Sequence, residues 1–137
     1  YVIYRNEGLK TLGAELSRIY KNITPGEKYS EVTEVNMGKK ATDATVAIAI
    51  IVNYSYELPE WEELAAVACS VQNLWLAAHS LGIGGYWASP GLINHMGDFL
   101  SLQENQKCIG IFYLGYHNSE AREPARSPIE DKIRWVE

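Results

Sequence analysis

A chain of 137 residues, 47% hydrophobic and 21% charged, is long enough to bury one core and has the composition of an ordinary folded domain. Its net charge of −5 argues against nucleic acid as the main partner, since that role needs a basic face. The longest apolar run, ATVAIAIIV, has the length of a strand and falls well short of a membrane-spanning helix.

The chain opens on YVIYR, a β-branched and aromatic run that predicts a strand over residues 1–4. It reads as the inside of a buried strand and carries no initiating Met, so a preceding segment is expected. Asn6 is positioned to cap a helix from Glu7 to about Lys21, with Leu9, Leu12, Leu16, Ile19 and Tyr20 on one face. Residues 22–43 are polar, weakly periodic and punctuated by Pro25-Gly26 and Gly38, which predicts a long loop with one helical turn at most. TVAIAIIVNY, residues 45–54, is continuous enough to be a strand buried on both faces.

A helix is predicted from Pro59 to Leu81, opened by a proline suited to the first turn and by Glu60, Glu62 and Glu63 at the positive end of its dipole. Leu64, Val67, Val71, Leu74, Trp75 and Leu81 fall on one side, for a core. Ala65, Ala66, Cys69, Ser70, Ala77 and His79 make a small, mildly polar opposite side that suits close approach of another helix or a second subunit. His79 is expected to pack there with a hydrogen bond. A strand around Gly85–Ala88, a turn at Ser89-Pro90-Gly91, a helix over Ile93–Leu100 and a strand over residues 107–117 follow. Tyr86, Trp87 and Tyr116 are packing residues by default and pocket-lining candidates otherwise. The tail from residue 118 cannot build its own core, so Ile133 and Trp135 must pack on something else. Strands mixed with helices predict an α+β or α/β domain.

Catalytic signatures are sparse. His79, His95 and His117 lie on three elements without metal-ligand spacing, and there is no nucleophile elbow or phosphate loop. LGIGGYW lacks the dinucleotide-fingerprint spacing and follows a helix where the fingerprint follows a strand. Cys69 and Cys108, both in apolar surroundings, read as a reduced pair, and with no signal peptide this points to the cytoplasm. The glycines of LGIGGYWASPG remain: Gly82 suits a helix C-cap, but Gly84 and Gly85 weaken a strand unless something lies close to its backbone.

EELAAVACSVQNLWLAAHSLGIGGYWASPG resembles the long helix and following strand of the nitroreductase family of FMN-dependent oxidoreductases, and IGIFYLGYHNSEAREPARSPIEDKIRWV resembles its closing strand and C-terminal segment. The resemblance is close over residues 57–137 and looser over 1–56. It implies an α+β fold with a mixed, mainly antiparallel sheet flanked by helices, in an intertwined homodimer whose tail, residues 118–137, packs on the partner subunit. It also implies FMN as cofactor, NAD(P)H as reductant and a small electron-poor acceptor such as a nitroaromatic or quinone, served by ping-pong hydride exchange without a protein acid or base. By position, Ser89, Pro90 and Gly91 would lie beside the isoalloxazine, with Gly91 the better backbone donor because Pro90 has no N–H. Arg126 would contact the FMN phosphate, with Arg122 its competitor. The family's Arg-rich opening and Asn-rich loop would precede Tyr1. Two other readings stay open: a specialised relative that dehalogenates or destroys flavin, and a flavin-binding or dimerising module without turnover.

Overall fold

The computed structural model describes residues 1–118 and 125–136. In chain order its main elements are β1 (Val2–Arg5), α1 (Glu7–Ile23), α2 (Glu31–Thr42), β2 (Val46–Asn53), α3 (Glu60–Ser80), β3 (Gly84–Ala88) and β4 (Gln106–Gly115), with short 3-10 turns at Gly26–Lys28, Gly91–His95 and Ile129–Lys132. The strands form one sheet in the order β1-β2-β4-β3, and every pairing among them is antiparallel. This is the expected α+β architecture.

Alternation along the two central strands divides the core into two layers. Ala47 and Ala49 of β2, with Ile111 and Tyr113 of β4, face α1, which sets Leu9, Leu12, Leu16 and Ile19 against them. Those four recur at intervals of three and four, one stripe of a helix. Ile48, Ile50 and Phe112 face the other way, toward Val67, Val71 and Leu74 of α3. The alanines let α1 approach β2 closely, while the isoleucines fill the space under α3. Between Ile50 and Ile51 the β2–β4 register shifts, with Gly110 and Cys108 on either side of the shift.

The largest departure from expectation is at residues 22–43, where twelve residues form α2 instead of a loop. Ser30 caps it by accepting from the Thr33 N–H at 3.3 Å, Glu31 and Glu34 occupy the first turn, and Lys39 and Lys40 the last. Its periodicity is weak because it packs through backbone. A β-carbon at Gly13 of α1 would lie 2.7 Å from the Gly38 carbonyl oxygen, and one at Gly38 would lie 2.9 Å from that of Gly13. The Ser17 hydroxyl also donates to the Glu34 carbonyl at 2.9 Å.

Smaller corrections follow. Asn6 stands at the α1 cap position with φ 51°, but its side chain makes no capping bond. The helix expected over 93–100 is a 3-10 turn ending at His95 followed by further turns, with Gly97 interrupting it. Leu81 is exposed, and Trp75 is partly exposed, its ring meeting Phe112 at 5.3 Å and 80°. His79 is exposed and its side chain makes no hydrogen bond among the described residues. Both cysteines are free; Cys108 is buried as expected, and Cys69 is exposed.

Candidate functional site

β3 leaves the sheet after the Ala88–Ile111 pair, and Ser89 and Pro90 lead directly into the 3-10 turn that starts at Gly91. Pro90 is extended, with φ −66° and ψ 152°, and its carbonyl accepts from the Ile93 N–H at 3.0 Å. Gly91 and Leu92 open that turn, so their N–H groups have no acceptor within it and none elsewhere on the described backbone.

Gly91 is a glycine that the chain itself does not require. Its φ is not positive, and a β-carbon placed there would meet nothing within 4 Å. It borders a cleft of about 350 Å3 whose walls include Leu64, Trp87, Ser89, Pro90 and Ile109. The Trp87 indole N–H, on that wall, is buried without a partner among the described residues. Trp87 is held in place by Gly110: a β-carbon there would fall inside the indole and 2.7 Å from the Ala88 carbonyl oxygen.

Gly84 and Gly85 have a different explanation from the one the sequence invites. A β-carbon at Gly84 would lie 2.8 Å from His117 Nε2, and one at Gly85 would lie 2.8 Å from the Phe112 ring and 2.9 Å from the Tyr113 carbonyl. Side chains of the same chain crowd these two backbones.

Two further residues in the cleft were not among the site candidates read from the sequence. Lys107, from the start of β4, brings a cation that has no ion pair among the described residues. Cys108 lies beside it, and burial pushes its thiol pKa up while its Sγ donates to the Gly110 carbonyl at 3.6 Å. A thiol held protonated in this way is a poor nucleophile, which argues against thiolate chemistry here. Among the described residues no group of three His, Cys, Asp or Glu side chains could hold a metal.

Arg126 is elsewhere. It borders a separate depression on the second half of α3, with Gln72, Trp75, Leu76 and His79, and shares no lining residue with the cleft at Ser89–Gly91. The structure thus brings Ser89, Pro90 and Gly91 together and leaves Arg126 apart from them. Arg122 lies outside the described residues.

The cleft fits the ring portion of a flavin. Trp87, Leu64, Pro90 and Ile109 form an apolar wall, and Gly91, whose N–H has no backbone acceptor among the described residues, leaves room at the edge. The phosphate end has two candidate cations, Lys107 inside the cleft and Arg126 outside it.

Comparison with known proteins bears on the fold and the family. A sequence model described as Nitroreductase family matches residues 1–116. No curated protein sequence matches. Among solved structures, a nitroreductase-like family protein from Bacillus cereus is 25% identical with a TM-score of 0.75, over 99% of this chain and 72% of that one. The nitroreductase CinD from Lactococcus lactis, solved in complex with chloramphenicol, is 18% identical with a TM-score of 0.72, over 99% and 75%. A nitroreductase with bound FMN from Desulfitobacterium hafniense DCB-2 is 22% identical with a TM-score of 0.60, over 99% and 74%. With the family match spanning most of its length and the sheet and long helix in place, the chain belongs to the nitroreductase family of oxidoreductases.

Proposed function

We propose that this protein is an FMN-dependent oxidoreductase that takes reducing equivalents from NAD(P)H and passes them, in a ping-pong cycle, to a small electron-poor acceptor such as a nitroaromatic or quinone. The observation that carries the reading is Gly91: neither its backbone angle nor its packing calls for glycine, yet it borders an apolar cleft with an unpaired N–H. FMN, when bound, supplies the group that accepts and returns hydride.

The chain's own residues bind and orient. Trp87, Leu64, Pro90 and Ile109 exclude water from one face of a planar ring, and Ser89 and Pro90 form the edge over which it lies. The Gly91 N–H is a preorganised donor for charge that develops on the ring. Lys107 and Arg126 are the cations available to a phosphate, each offering charge-assisted hydrogen bonds. No protein acid or base is needed. The same reading includes a homodimer. Ile133 and Trp135 stay exposed on this chain, Trp135 at 84%, and an apolar tail of that kind docks on a partner subunit.

The test is a visible absorption spectrum of the purified protein, reconstituted with FMN if colourless, followed by anaerobic addition of NADPH and then NADH. Flavin bands that bleach with nicotinamide and return with a nitroaromatic support the reading. A protein that no FMN titration turns yellow overturns it. A yellow protein that neither nicotinamide reduces is a flavin-binding module.

A further inference from the structure

Lys107 sits near the start of β4, opposite Val52 near the end of β2. The next residue, Cys108, is buried in the layer under α1. Side chains alternate along a strand, so Lys107 is carried to the opposite side, toward α3, where Leu64 and Trp87 wall the cleft.

Among the described residues, Lys107 is the only charged side chain on that cleft. No carboxylate there answers it. Glu63, the residue before Leu64, is turned to Ser55, accepting from its N–H at 2.8 Å and from its hydroxyl at 2.6 Å. Asp98 borders an adjoining hollow of about 370 Å3 that Lys107 also lines, but it makes no ion pair with Lys107 and lies in the field of the Arg18 guanidinium. The Cys108 thiol is kept neutral by burial. The Gly91 N–H and the buried Trp87 indole N–H, both on the cleft, are donors as well. The cleft thus carries a positive charge without a compensating acid.

We infer that Lys107 acts on the ring of the bound flavin, not on its phosphate, and holds the reduced form more tightly than the oxidised form. The inference rests on the flavin reading above. Hydride transfer from NAD(P)H carries two electrons and one proton to the ring and releases NAD(P)+, so the ring gains one negative charge unless a second proton follows from solvent. An ammonium in a cleft that the ligand shields from water stabilises that new charge. A phosphate carries the same charge before and after reduction, so a cation bound to it holds the two forms equally. Lys107 shares its cleft with the apolar wall on which a ring would lie, whereas Arg126 stands on a separate depression and is left for the phosphate.

The experiment is an anaerobic redox titration against a reference dye, on parent, Lys107→Met and Lys107→Arg proteins loaded with FMN and, separately, with riboflavin. Lys107 is exposed, so neither change disturbs the core. Lys107→Met should weaken the reduced flavin about tenfold more than the oxidised one, which lowers the midpoint potential by about 30 mV. The shift should be the same with riboflavin, which has no phosphate, and Lys107→Arg should stay close to the parent. A flavin-loaded Lys107→Met protein with an unchanged midpoint overturns this assignment alone, as does a shift seen with FMN and lost with riboflavin. Lys107→Arg falling as far as Lys107→Met also overturns it, because charge would not be the cause. A protein that takes up neither flavin overturns the functional reading together with the assignment.

Discussion

A β-carbon at Gly110 would fall inside the Trp87 indole and 2.7 Å from the Ala88 carbonyl oxygen, whereas one at Gly91 would meet nothing within 4 Å. The same substitution should therefore have opposite consequences. Gly110→Ala forces Trp87 off its seat on β4 and should cost about 1–3 kcal/mol of stability, read from the urea midpoint. It should also weaken FMN, since Trp87 walls the cleft. Gly91→Ala should leave the urea midpoint within error and reduce FMN affinity about tenfold, read by quenching of flavin fluorescence. Unchanged FMN affinity in Gly91→Ala would remove the observation on which the functional reading rests. Sequence reasoning named Ser89, Pro90 and Gly91 from their position after a glycine-rich strand, and the structure puts all three on one cleft. It missed Lys107, because a lysine at a strand start looks like any solvated charge until the neighbouring turn is folded over it.

At the scale of elements, the α1–α2 contact sets helix propensity against packing. Alanine is the better helix former by about 1 kcal/mol, so on propensity alone Gly38→Ala would stabilise α2. Its β-carbon would stand 2.5 Å from the Ser17 hydroxyl oxygen and 2.9 Å from the Gly13 carbonyl oxygen. Backbone cannot yield as a side chain does, so the helices must part, and Gly38→Ala should destabilise by about 2 kcal/mol in thermal or urea unfolding. A stabilised Gly38→Ala would show that the helices are farther apart than described. The contact also explains why α2 was not legible as a helix: it is held by glycine, alanine and backbone, which leave no stripe of large apolar residues. Its Ser30 cap and flanking charges were readable, but they are also what a polar loop contains.

α1 carries a pH-dependent contribution. Arg18 donates to both Glu15 carboxylate oxygens at 2.7 Å, and those hydrogen bonds hold the Glu15 pKa below its ordinary 4.5. A carboxyl whose folded pKa is lowered stabilises the fold fully above the unfolded value, and the benefit disappears as pH falls through the folded value. The unfolding temperature of Glu15→Gln should accordingly lie below that of the parent above about pH 4.5 and converge with it as the medium is acidified further. The difference should be small, since Arg18 is exposed and salt screens the pair.

For the whole molecule, the question is what covers the apolar surface this chain leaves bare. Trp61 and Leu76 on α3 and Trp135 and Val136 in the tail are all more than half exposed. A monomer rarely shows so much, and the proposed homodimer would bury it. Replacing Trp135 with Glu should shift the protein toward monomer in sedimentation velocity, and FMN occupancy should fall with it if the partner helps close the cleft. A parent chain that is monomeric at every concentration would exclude the dimer.

The sequence alone determined the class of the fold, the long helix, the four strands and the family, because each rests on local periodicity or on a run of residues read in order. Only the tertiary structure decided which glycines are packed against the chain itself and which border an open cleft, that residues 31–42 are helical, and that Arg126 stands apart from Ser89–Gly91. The physical reason is common to all three. Each depends on what lies across from a residue, a distance in space between segments far apart along the chain, and periodicity carries no record of it.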